Sequence, residues 1–146
     1  MNIWQQVRAA LLGKIVMHEN NSVAPVPLVI TAQVDAVEKH PNADRLRVVS
    51  LSDGVRTYYP VVCGAYNFSV GDIVALALPG ATIPRNIHSD THEAFVLSRA
   101  IIRGVESRGM ICSAFELGLR ETPETREEGI LIFPQHTPLA VDVFQI

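Results

Sequence analysis

The segment His88-Ser89-Asp90-Thr91-His92 sets two imidazoles and a carboxylate at alternate positions. On one strand face or in a loop, such spacing lets three side chains converge on a metal ion. The segment offers no fourth ligand and no outer partner to orient the rings, and bound metals need that support. It therefore reads as a polar loop, and no metal site is expected. His18, His40 and His136 complete the histidines, and none of the five pairs with a Cys or Ser at a catalytic spacing. The chain has no glycine-rich phosphate cradle and no nucleophile elbow. Cys63 and Cys112 form no CxxC pair, which speaks against a zinc ribbon or a redox motif. They are expected reduced and buried as small hydrophobes. No catalytic residue and no cofactor is expected.

Arginine is the remaining chemistry. The stretch from Lys39 to Ser113 holds Lys39, Arg45, Arg47, Arg56, Arg85, Arg99, Arg103 and Arg108 against Asp44, Asp53, Asp72, Asp90, Glu93 and Glu106. Arginine suits bidentate phosphate contacts and stacking on bases, although a GC-rich coding sequence gives the same bias. Glu116, Glu121, Glu124, Glu127 and Glu128 make the following segment acidic, and the formal net charge of the 146 residues is −3. Strong non-specific nucleic-acid binders are basic overall, so any anion-binding face here is local. The apolar fraction of 48% and charged fraction of 18% fit one ordinary globular domain. No apolar run approaches the ~20 residues of a membrane span. The N-terminus makes a poor signal peptide, so a cytoplasmic protein is expected.

The elements that must position these residues follow from periodicity. Ile3, Trp4, Val7 and Leu11 recur at helical spacing behind a capping Asn2, which predicts a helix over 2–12 that Gly13 ends. A turn-rich linker runs to Pro27, so the chain divides into residues 1–27 and a domain over 28–146. Strands are predicted over 28–37, 45–51, 55–62, 73–78, 93–103, 109–112 and 129–133, with Ser52-Asp53-Gly54 as a tight hairpin turn. One helical turn is expected over 113–117, capped by Ser113 and stopped by Gly118. Short strands between Gly and Pro turns suggest an all-β, five-stranded barrel with extra strands at its edge.

Three separated segments are more specific. His40-Pro41-Asn42-Ala43-Asp44-Arg45-Leu46-Arg47-Val48 is similar to an HPNADxLxV signature, and Val61-Val62-Cys63-Gly64-Ala65-Tyr66-Asn67 to VCGAxN. Arg103-Gly104-Val105-Glu106-Ser107-Arg108-Gly109-Met110-Ile111-Cys112-Ser113, followed by Glu116-Leu117-Gly118-Leu119, is similar to RGVxSxGMxCSxxELGL. In this order they resemble the tRNA-binding OB-fold domain family, in the form found in phenylalanyl-tRNA synthetase β subunits. The likeness covers roughly residues 29–143. It implies a Greek-key OB-fold barrel with a C-terminal β extension, tRNA as partner, and no catalysis by the domain itself. The loop 84–94 departs from the basic, glycine-rich loop expected in that family, so no phosphate site is placed there.

With that resemblance, Asn42, Arg45, Arg47, Arg99, Arg103, Ser107 and Arg108 become the candidate RNA-binding residues. Other readings stand beside this one. His40 can brace its loop, and Asn42 and Asp44 can be turn formers. Gly104 and Gly109 allow a sharp turn or a close approach, Ser107 can serve barrel closure, and the arginines can be solvated strand positions. The stripe over 3–11 needs something to bury it, which makes a homodimer or contact with synthetase subunits a further expectation. The alternative function is a docking domain with little RNA affinity.

Overall fold

The computed structural model describes residues 26–146. The helix expected over 2–12 and most of its linker lie outside the described residues. The described chain is all-β: β1 (Val29–Lys39), β2 (Arg47–Ser52), β3 (Thr57–Cys63), β4 (Ile73–Ala77), β5 (Thr82–Ile83), β6 (Phe95–Val96), β7 (Ala100–Ile102), β8 (Val105–Ser107), β9 (Met110–Ile111) and β10 (Ile132–Phe133), closed by a 3-10 turn at Val143–Gln145.

The main sheet runs β10-β4-β1-β2-β3, and β9 also pairs with β4. Every pairing is antiparallel, so β9 runs in the same direction as β3. The stretch through β8 and β9 closes the sheet toward β3. The Arg108 amide donates to the Pro60 carbonyl at 2.9 Å, and the Ser107 hydroxyl accepts from the Val62 amide at 2.9 Å. Five segments thus surround one interior, as the barrel reading requires. Register shifts at Val34/Ala36 and Val49/Leu51 supply bulges, which bend strands into a closed surface.

The interior holds Ile30, Ala32, Val34, Val49, Leu51, Val61, Val74 and Leu76. A second cluster holds Val29, Ala75, Ala77, Ile83, Cys112 and Val143 on the outer side of β1 and β4. The alternation is that of a strand, yet all five residues of β4 are buried. Both of its faces are covered, and this is why its sequence is an unbroken apolar run. The covering layer combines the β5–β6 segment and the 112–117 turn with the C-terminal extension. β2 pairs with β1 only from Gln33 onward, and the tail takes the edge that this leaves. Thr31 donates its amide to the Val141 carbonyl and accepts from the Ala140 amide, at 3.0 and 2.9 Å. Its hydroxyl donates to the Pro138 carbonyl and accepts from the Val141 amide.

Several boundaries differ from the sequence expectation. The strand expected over 93–103 is two strands, because Leu97 turns its amide to Ala81 and its carbonyl to Gly80 before the β7–β8 hairpin begins. The strand expected over 129–133 shortens to β10, and β5 has no counterpart among the expected strands. The turn after β2 spans residues 53–56, wider than a two-residue Asp-Gly turn. Gly54 takes φ +96, while Asp53 Oδ1 accepts the amides of Val55 and Arg56. The turn over 113–117 forms with reciprocal capping. The Ser113 hydroxyl accepts the Glu116 amide and the Glu116 carboxylate accepts the Ser113 amide. Gly118 ends it at φ +74. Cys63 and Cys112 are buried free thiols, and burial pushes both thiols up, which keeps them unreactive.

Candidate nucleic-acid interface

Two loops meet at one end of the barrel. In the first, residues 40–46, the ring of His40 is buried. Its Nδ1 accepts the Asn42 amide at 3.0 Å, so the proton sits on Nε2, which donates to the Ile102 carbonyl at 3.0 Å. The Asn42 side-chain amide donates to the Arg103 carbonyl at 2.9 Å. His40 and Asn42 therefore latch this loop to the second one, the tip of the β7–β8 hairpin.

The tip is Arg103-Gly104, with φ of +53 and +90. Two central residues with positive φ make the primed turn whose twist suits a tight hairpin. The hairpin can turn there because Gly104 tolerates that conformation, and a Cβ on it would press on the Asn42 side-chain amide at 3.2 Å. Arg103 adopts it as a non-glycine residue, with its carbonyl held by Asn42 and its side chain exposed. Gly109, at the base of β8, meets β4 so closely that a Cβ would lie 2.9 Å from the Ala77 carbonyl oxygen. The first glycine serves the turn and the second the close approach.

The candidate residues fall into two groups. Arg45, Arg99, Arg103 and Arg108 are exposed. Arg99 stands 3.6 Å from Glu106 in a surface ion pair, a weak bond that a competing anion can replace. Arg99 and Arg108 line one cleft of about 240 Å³ with Thr57, Tyr58, Tyr59, Leu78 and Pro79. Tyr59 is half exposed, and the Glu38 carboxylate beside it pushes its phenol up.

Asn42, Arg47 and Ser107 are instead engaged with the protein. Ser107 is buried, and its hydroxyl accepts from Val62 and donates to the Gly109 carbonyl at 2.9 Å. Arg47 donates to the carbonyls of Ala65 and Phe68 at 3.0 and 3.2 Å. Its guanidinium lies 4.7 Å from the Tyr66 ring centroid and 4.4 Å from that of Phe68. These bonds hold the loops in place, with Asn42 itself still exposed. Tyr59 and Tyr66 escaped the sequence reading. The available signal was an aromatic beside a turn in Tyr58-Tyr59-Pro60 and in the Val61–Asn67 segment.

In the 84–94 loop, the Ser89 and Thr91 hydroxyls donate to the Glu93 carboxylate, and the His92 ring packs edge-on against Phe115 at 5.1 Å. Among the described residues, no three His, Cys, Asp or Glu side chains come together as a metal would need, and no helix is long and apolar enough to cross a membrane.

Comparison with known proteins agrees with this architecture. The family model for a tRNA binding domain matches residues 29–142. The chain is 44% identical over 125 residues to a phenylalanine–tRNA ligase β subunit of Chlamydia pneumoniae, which covers 86% of this chain and 15% of that protein. It is 44% identical over 116 residues to the β subunit of Geobacter sulfurreducens, covering 80% of this chain and 13% of the relative. It is 37% identical over 139 residues to that of Ralstonia nicotianae, covering 95% and 16%. The chain thus spans about a sixth or less of the length of these relatives.

Proposed function

Because the chain belongs to the tRNA binding domain family, we propose that it is a non-catalytic tRNA-binding module whose contact surface is the latched pair of loops at the end of the barrel. The observation that carries this reading is the Asn42–Arg103 bond. It presents the hairpin tip as a fixed shape with Arg103 outward. Arg45, Arg99 and Arg108 add exposed positive charge, while Asn42, Arg47 and Ser107 contribute by holding the backbone. Backbone charge and shape dominate recognition of folded RNA, and four arginines on a rigid frame suit that task in a protein of net charge −3.

In this reading the module works in the cytoplasm, beside the other domains of a synthetase β subunit or as a second copy of itself. Sedimentation of the full chain and of a version starting at Val26 tests the dimer, which the stripe over 3–11 would mediate. Retention of tRNA on a native gel at low and moderate salt tests the function. A shift that weakens steeply with salt is the expected result, and no shift at low salt overturns it. A second reading, docking to a protein, draws support from Ile101 on β7 and Val96 on β6, which are 76% and 64% exposed.

A further inference from the structure

A second cleft, of about 440 Å³, opens beside the 40–46 loop and is lined by Gly64, Tyr66, Asn67, Arg126 and Glu127. Its volume falls within the range of small-ligand sites. Tyr66 is half exposed and is held at three points. Its hydroxyl donates to the Asp44 carbonyl at 3.2 Å, its backbone belongs to the loop whose Ala65 and Phe68 carbonyls Arg47 grips, and the Arg47 guanidinium covers one face of its ring. With that face covered, half of the residue remains open to solvent. Arg47 is itself clamped between two rings, with its Nε buried and without an acceptor. Such fixation means that little freedom is lost when a flat ligand settles on the tyrosine.

The opposite wall is also fixed. The Asn67 side chain donates to the Ile130 carbonyl and accepts from the Ile130 amide, both at 3.0 Å, and ties the acidic segment to the Tyr66 loop. Glu128 is held by Arg120, whereas Arg126 forms no ion pair among the described residues. Glu127, in the same cleft, leaves it near neutral. A ligand bound mainly through its flat face, carrying at most one negative charge to Arg126, fits this balance better than a run of phosphates.

We propose that this cleft takes one unpaired nucleotide of the bound RNA, its base stacked on Tyr66 and its phosphate against Arg126. The proposal rests on the tRNA-binding reading and extends it. The Tyr66 hydroxyl is bonded to Asp44, two residues from Asn42 in the latched loop, so the cleft adjoins the interface already described. Aromatic stacking serves any unpaired base, which gives the module a handle on loops and ends that a duplex lacks.

The test uses the full chain and two probes, unfractionated tRNA and a short hairpin RNA bearing a single-stranded overhang with 2-aminopurine. The wild type should quench the fluorophore. Tyr66→Ala should abolish the quench and weaken tRNA binding about tenfold without changing the salt slope, and Tyr66→Phe should retain both. Arg126→Gln should lower the slope by about one unit. Thermal melts of each variant establish that it is folded, and the phenylalanine variant separates ring loss from loss of the Asp44 bond. If the wild type binds tRNA and Tyr66→Ala binds it equally well, the nucleotide cleft is refuted and the tRNA-binding function stands. If a protein partner rather than RNA engages the cleft, tRNA shifts but the overhang is never quenched. If the wild type binds neither RNA, both readings fall.

Discussion

Ser107 shows how much one hydroxyl can do when it is buried between two strands. It satisfies the Val62 amide of β3 and the Gly109 carbonyl before β9, a place where the two strands otherwise touch through few bonds. Ser107→Ala would leave both groups without a partner, at a cost of about 1–3 kcal/mol for each buried polar group. Urea unfolding should show a lower midpoint with an unchanged slope. Glu116 is the counterexample, a carboxylate that burial penalises. Desolvation raises it above its ordinary value of 4.5. The folded state therefore holds the proton more tightly than the unfolded state. The stabilisation this gives is complete below pH 4.5 and is lost as pH rises through the folded value. Glu116→Gln keeps an acceptor for the Ser113 amide and removes the titration. The variant should gain stability relative to the wild type as pH rises above 4.5, and a parallel pH dependence in both proteins would contradict this.

The β7–β8 hairpin is the element on which structure and proposed function meet, and its tip allows them to be separated. Arg103 stands at φ +53 and Gly104 at φ +90. Glycine accepts such angles freely, whereas a β-branched residue does not. Arg103→Gly should leave the fold at least as stable while lowering the salt slope of tRNA binding by about one unit. Gly104→Val should destabilise the hairpin and weaken binding through the lost shape. If Arg103→Gly leaves the slope unchanged, its side chain is not at a phosphate. Much of this element is legible in the sequence. Gly104 and Gly109 signal a turn and a close approach through the absence of a side chain, which is a local property. The His40–Asn42 loop is legible for the same reason. The fate of Arg47 is not. A residue that opens a strand after a loop says nothing of where its long guanidinium will lie, and its position depends on Ala65, Tyr66 and Phe68 folding back across it. β5 eludes the periodicity because it has two residues, too few for a period of two to register, and the break between β6 and β7 eludes it because that break rests on the bonds of Leu97 to Ala81 and Gly80.

Over the whole molecule, charge is segregated rather than abundant. If Arg45, Arg99, Arg103 and Arg108 each meet one phosphate and Arg126 a fifth, the logarithm of affinity should fall against the logarithm of salt with a slope of about −4. A slope near zero would point to an uncharged interface. The tail is the least legible part of the fold. Its bonds to Thr31 reach across more than a hundred positions, and no local pattern reports such pairings. Thr31 and Val141 are 110 residues apart, and their pairing has a consequence for synthesis. Residues 29–32 leave the ribosome well before the segment that covers their exposed edge, which follows only after those 110 residues. At about 5–20 residues per second, that edge stays open for roughly 5–20 s on a nascent chain. During that time an uncovered strand can pair with a neighbouring chain on the same messenger. The tail acts in this sense as a late seal, and shortening it should lower soluble yield before it alters anything at the far end of the barrel.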